Sequence, residues 1–219
     1  MSTTRTGVGA GVEVWWVGVG EARDEFVRDL DDVERGRLAA YLRDVDRARF
    51  LLGVTLVRRV LAERFSLPAA KVVLDRTCSE CGKPHGKVRA AGVELSVTHS
   101  GDLAGVAVAD RPVGLDVEKV DLGVDVDAVA RVALTDTEVL ELSGYDGMAK
   151  ARAFTTYWTR KEAVVKATGA GLRGDLRGRV PDGVQVLDLE VGAEHRAALA
   201  VISAERPVVQ VHDGARLLG

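Results

Sequence analysis

The sequence predicts an α+β fold of two similar, pseudo-symmetric halves, each a small, mainly antiparallel sheet packed on one long helix, with a ligand cleft between them. Three observations point there. Residues 48–65 and 151–168 both carry long helical periodicity. Each is followed by a loop and then short strands. The order also repeats, since His99 comes shortly before LAGVAVA and His195 shortly before AALAVIS. The joint falls near Arg111-Pro112, giving an N-terminal half of residues 1–112 and a C-terminal half of residues 113–219 in one compact unit.

Taken in order, EVWWVGV (Glu13–Val19) reads as a strand rich in β-formers. Asp31–Leu42 has helical spacing, and Asp46 is placed to cap a longer helix over Ala48–Phe65. That helix stops at Ser66-Leu-Pro68. Val72–Leu74 reads as a short strand, and Glu94–Val97 pairs with Gly105–Ala109. VGLDVEKV (Val113–Val120) is the next strand. Residues 121–150 are helical in pieces, with a capping box at Thr135-Asp-Thr-Glu138. Gly169 ends the helix Ala151–Thr168. Val184–Leu189, Ala197–Ile202 and Val208–Val211 are the last strands.

The chain has 219 residues and 47% hydrophobic content, enough to build a core. No apolar run approaches the roughly 18 residues of a membrane span, and MSTTRTGVGAG lacks the layout of a signal peptide. A soluble, cytoplasmic protein is therefore expected, without membrane association. The net charge of −3 gives no support for nucleic-acid binding. Between Lys71 and Arg89, however, five basic residues face two acids, which suggests a loop for one anionic ligand. That loop holds both cysteines, Cys78 and Cys81, with His85 close behind. A Cys-x-x-Cys pair with a histidine is half of a zinc site, and no second pair completes it. A plain loop pair is the expectation.

Two acids carry the chemistry. In VGLDVEKV, Asp116 and Glu118 share one face with Gly114, while Val113, Leu115 and Val117 share the other. Two carboxylates on one face repel, and the cost grows where solvent is excluded. On the second long helix, Phe154, Trp158, Glu162 and Lys166 recur every four residues as one stripe. Three oxygen ligands, two from a strand and one from a helix, suit Mg²⁺, which keeps several waters and shares its sphere with substrate phosphates.

GLDVE (Gly114–Glu118) and WTRKEAVVK (Trp158–Lys166), about 40 residues apart, resemble the paired signatures of the 4′-phosphopantetheinyl transferases of the surfactin-synthetase-activating type. Ser96-Val-Thr98-His99-Ser100 is similar to that family's Ser-His-Ser segment, with Thr98 replacing the first serine. Gly82-Lys83-Pro84 matches its Gly-Lys-Pro region, and Gly86-Lys87-Val88 is the other candidate. Arg49 before FLLG falls where the family has an arginine. The resemblance covers roughly residues 31–190.

It implies transfer of the 4′-phosphopantetheine group from coenzyme A to a serine of an acyl or peptidyl carrier protein, with release of 3′,5′-ADP. It further implies that Asp116, Glu118 and Glu162 hold Mg²⁺, with Mn²⁺ able to substitute. His99, beside Thr98, and Lys166 would contact phosphate oxygens, Arg49 the 3′-phosphate, and Lys83 or Lys87 the nucleotide end. Glu162 would be the general base, with Lys166 also catalytic. A monomer suffices, because both halves lie on one chain. The competing readings are a Mg²⁺-dependent coenzyme A pyrophosphatase using the same acids, and a zinc-stabilised, non-enzymatic binding module built on Cys78, Cys81 and His85.

Overall fold

The computed structural model describes residues 11–78, 80–169 and 176–219. Strand β1 (Gly11–Gly18) is followed by helices α1 (Asp32–Ala39) and α2 (Asp44–Phe65), then by strands β2 (Glu94–Ser100) and β3 (Leu103–Ala109). The second half opens with β4 (Val113–Lys119) and helices α3 (Val126–Ala133), α4 (Asp136–Leu142) and α5 (Gly147–Thr168). Strands β5 (Val184–Leu189), β6 (His195–Ile202) and β7 (Val208–Asp213) close the chain.

The sheets show the repeat directly. One has the order β2-β3-β1-β7 and the other β4-β6-β5. Each half therefore runs strand, long helix, strand, strand, with its third strand pairing antiparallel to both of the others. Helices α2 and α5 are both 22 residues long. The histidines of the sequence echo are not equivalent, because His99 ends β2 while His195 opens β6, the counterpart of β3. Strand β7 has no counterpart. It returns to the first sheet and pairs parallel with β1.

Elements differ from the sequence reading at their edges. Helix α2 begins at Asp44 rather than Ala48, and Asp46 lies inside its first turn, paired with Arg49 at 2.9 Å. Acids in a first turn favour the positive end of the helix dipole, so the helix gains a turn. Helix α1 stops at Ala39, and Leu42 beyond it is 98% exposed. Val72–Leu74 forms no strand. Val72 is buried against α2 and Val73 points outward, and the pairing nearby is a lone bridge between Asp75 and Arg89. The capping box of Thr135 with Glu138 and the left-handed stop at Gly169 are as expected.

Three of the apolar clusters position the site. The first lies between α2 and the β2-β3-β1 face, with Leu52, Leu56, Leu61 and Val106 among its fully buried members. The second joins the sheets through Val14, Ala107, Val113 and Leu199. The third seats α5 on β6, and its buried members are all alanines: Ala163, Ala167, Ala198 and Ala200. Small side chains permit a close approach, and Gly114 is where it is closest. A Cβ there would lie 1.9 Å from the Ala163 carbonyl oxygen and 2.5 Å from the Ala167 nitrogen. One buried charge is also structural. Arg58 pairs with Glu34 at 2.6 Å and with Asp31 at 2.8 Å, and it donates to the carbonyls of Ala69 and Val72, pinning the chain just before the basic loop.

Gly114→Ala should therefore push α5 off β4 and destabilise the fold by about 3 kcal/mol, measured by chemical denaturation. A loss within experimental error would mean that the helix does not lie against this strand.

Candidate active site

The site is built on a seam between β2 and β4, which run side by side in the same direction. Residues 96, 98 and 100 share one face of β2 because strand side chains alternate. Their hydroxyls accept backbone N–H groups of β4: Leu115 to Ser96 at 2.8 Å, Val117 to Thr98 at 3.0 Å, and Lys119 to Ser100 at 3.1 Å. Each hydroxyl keeps a proton to donate. Thr98 donates to Asp116 Oδ1 at 3.3 Å and Ser100 to Glu118 Oε2 at 2.5 Å. The serine and threonine positions of this segment thus aim the two acids.

Helix α5 covers the acids from the other side. Phe154 is packed against α3 and α4, while Trp158, Glu162 and Lys166 line a cavity of about 440 Å³ with Thr98, His99, Asp116 and Glu118. The stripe thus passes from core to cleft. Lys166 Nζ donates to Asp116 Oδ1 at 2.6 Å and to the Leu115 carbonyl at 3.0 Å. Among the described residues, the buried Asp116 Oδ2 has no hydrogen-bond partner.

Burial raises the pKa of Asp116 above the usual carboxylate range, against the pull of Lys166 and Thr98. Burial likewise raises Glu118, and Asp116 and Glu162 add repulsion. Glu162 is raised by burial first and by Asp116 second. His99 opens to solvent at the cavity wall. Partial desolvation lowers its pKa, helped by Lys166 and Arg49, so the ring is neutral at neutral pH.

The remaining expected residues are placed differently. Arg49 sits at the β2–β3 turn, donating from Nε to the Gly101 carbonyl at 2.6 Å. Lys83 is exposed on the basic loop. Lys87 turns inward, and its ammonium meets the carbonyls of Lys166 at 2.9 Å and Val113 at 3.3 Å, so it caps the last turn of α5. The cations that line the cavity beside Lys166 are Arg37 and Arg76. Arg76 enters the sequence reading only as one charge of the loop, and nothing in α1 marks Arg37. Arg37 lies over the Phe50 ring, 5.0 Å from its centre, and Tyr41 packs on the same ring.

The donor set suits a hard cation: three carboxylates on one cavity, one buried oxygen without a partner, and mutual repulsion that a cation would relieve. Among the described residues, the acids do not close to within 4.8 Å of one another as a set. Lys166 supplies the counter-charge at Asp116.

Residues 112–209 match the model of the 4′-phosphopantetheinyl transferase superfamily. The chain is 30% identical over 128 residues to the 4′-phosphopantetheinyl transferase psf-1 of Bacillus pumilus, covering 58% of this chain and 53% of that protein. It is 26% identical over 166 residues to the 4′-phosphopantetheinyl transferase gsp of Aneurinibacillus migulanus, covering 74% and 67%. Against the 4′-phosphopantetheinyl transferase Sfp of Bacillus subtilis it is 26% identical over 153 residues, covering 69% and 66%. The matched region is thus just over half of the first relative and about two thirds of the others. The resemblance read from the two signatures is borne out.

A carboxylate whose folded-state pKa is raised favours folding below its unfolded pKa and loses that advantage as pH rises through the folded value. Without divalent ions, Glu162→Gln should therefore melt above the wild type near neutral pH, with the gap closing as pH falls toward the ordinary glutamate pKa of about 4.3. A gap independent of pH would show that Glu162 is not held in a repulsive, desolvated site.

Proposed function

We propose, on its kinship with the 4′-phosphopantetheinyl transferase superfamily, that this protein transfers the phosphopantetheine group of coenzyme A to a serine of an acyl or peptidyl carrier protein. The observation that carries the proposal is the meeting of Asp116, Glu118, Glu162 and Lys166 in one cavity, two elements contributing two residues each. Asp116, Glu118 and Glu162 would hold Mg²⁺. That ion, when bound, would neutralise charge developing on the pyrophosphate oxygens.

The residues would divide the rest of the work. Glu162 would take the proton from the serine hydroxyl. The serine oxygen then bonds to the phosphorus that carries pantetheine. The bond from that phosphorus to the bridging oxygen breaks, and the electron pair leaves with 3′,5′-ADP. Lys166 would compensate charge at the phosphates, with neutral His99 hydrogen-bonding a phosphate oxygen. Arg37 and Arg76 line the cavity and would face the nucleotide end; Arg76 Nε is buried without a partner. The enzyme would need no nucleophile of its own, because the hydroxyl arrives with the carrier. Lys87, committed to α5, would position Lys166 rather than bind ligand.

Incubation with coenzyme A, Mg²⁺ and an apo-carrier, followed by intact mass measurement of the carrier, tests the proposal. A gain of one phosphopantetheine is expected. Release of free phosphopantetheine with an unmodified carrier would replace it with a pyrophosphatase. Asp116→Ala should lower kcat/KM more than about a hundredfold, beyond what outer-shell changes cost. Glu162→Gln should lose about a hundredfold or more in kcat while still binding coenzyme A; an unchanged kcat would remove Glu162 as the base.

A further inference from the structure

We propose that Cys78, Cys81 and His85 form a zinc site in the basic loop, separate from the carboxylate cavity. The two cysteines are free thiols. The two sulfurs and one imidazole nitrogen all lie within 4.8 Å of one another, and Cys81 Sγ is 2.9 Å from His85 Nε2. Tetrahedral zinc, with about 2.3 Å to sulfur and about 2.0 Å to nitrogen, needs donor separations of about 3.5–3.8 Å. Small side-chain rotations reach that spacing.

The backbone is shaped for it. The backbone N–H groups of Glu80 and Cys81 point at the Cys78 sulfur. The Gly82 N–H closes onto the Cys78 carbonyl at 2.9 Å, and Gly82 has φ +71°, a left-handed conformation that a side chain would strain. The Cys78 N–H in turn donates to the Lys83 carbonyl at 2.9 Å. The chain therefore wraps the first cysteine so that the second faces it. Gly86 seals the wrap, since a Cβ there would lie 2.8 Å from the Thr77 carbonyl oxygen and 3.0 Å from the Cys78 backbone. These contacts change the standing of the cysteine pair, which the sequence leaves as a plain loop.

Three protein donors leave a fourth position, and with Cys81 and His85 both exposed it faces solvent, where water completes the tetrahedron. Soft sulfur and imidazole donors select zinc over magnesium, so the two ions do not compete for one site. The metal would have a task in the fold. Arg76, two residues before the first cysteine, accepts the Gly86 N–H at 2.7 Å through its carbonyl. Arg37 reaches the Pro84 carbonyl at 3.3 Å. Both arginines line the cavity. Cross-linking residues 78–85 would thus hold the rim of the cavity without entering it.

The test is metal content of the full chain, purified under reducing conditions, supplied with Zn²⁺ and passed through gel filtration. One zinc per chain is expected in the wild type and in Asp116→Ala. Cys81→Ser and His85→Asn should each weaken zinc binding at least about a hundredfold. Co²⁺ in place of zinc should give a thiolate charge-transfer absorption that Cys81→Ser abolishes. Failure of the reduced wild type to retain zinc would overturn the proposal. So would loss of zinc in Asp116→Ala with retention in Cys81→Ser, which would put the ion at the carboxylates. Neither outcome overturns the transferase reading, which is tested separately by modification of the carrier.

Discussion

Three hydroxyls on alternate residues of β2 grip the amides of β4, and the two strand acids of the cavity, Asp116 and Glu118, take their places from that seam. Backbone pairing would have drawn the two strands into one flat sheet. A side-chain seam instead joins them through hydroxyls and spends the spare hydroxyl proton on Asp116 and Glu118. Hydroxyls suit this because they accept and donate at once, which no apolar residue of that size can do. At the far end, His195 from β6 meets Asp102 and the Ser100 carbonyl, both at 3.3 Å, so the second sheet also touches the β2–β3 turn.

What the seam holds is electrostatically unfavourable. Three carboxylates on a partly desolvated cavity repel, and one lysine offsets only part of that. Such an arrangement persists only when surrounding packing outweighs it. Here the alanine layer under α5 and the close contact at Gly114 fix the helix that carries Glu162 and Lys166. Rigid placement of charged groups is what electrostatic stabilisation of a reacting group requires, so the proposed chemistry would draw on the same packing that bears the cost.

Much of this was legible in the sequence. Period-two alternation put Asp116 and Glu118 on one face, and period-four spacing put Trp158, Glu162 and Lys166 on one stripe; both came together because strand and helix are regular. Features set by distant contacts were not legible. Nothing in Val208–Asp213 says that it pairs with β1 almost two hundred residues earlier. Val72–Leu74 has strand composition but no neighbour to pair with. Lys87 has the charge for a phosphate yet turns to helix carbonyls, and Arg37 and Arg76 reach the cavity through tertiary folding. Residue types mark chemistry; which of several equivalent cations faces the ligand is decided by packing.

The most direct measurement is Mn²⁺ binding followed by electron paramagnetic resonance in the presence of coenzyme A. The account predicts one tightly held ion per chain, and a tenfold or greater weakening, about 1.4 kcal/mol, when either Asp116 or Glu162 is replaced by alanine. Undiminished affinity in both variants would contradict it, because the strand and the helix would then not share a cation.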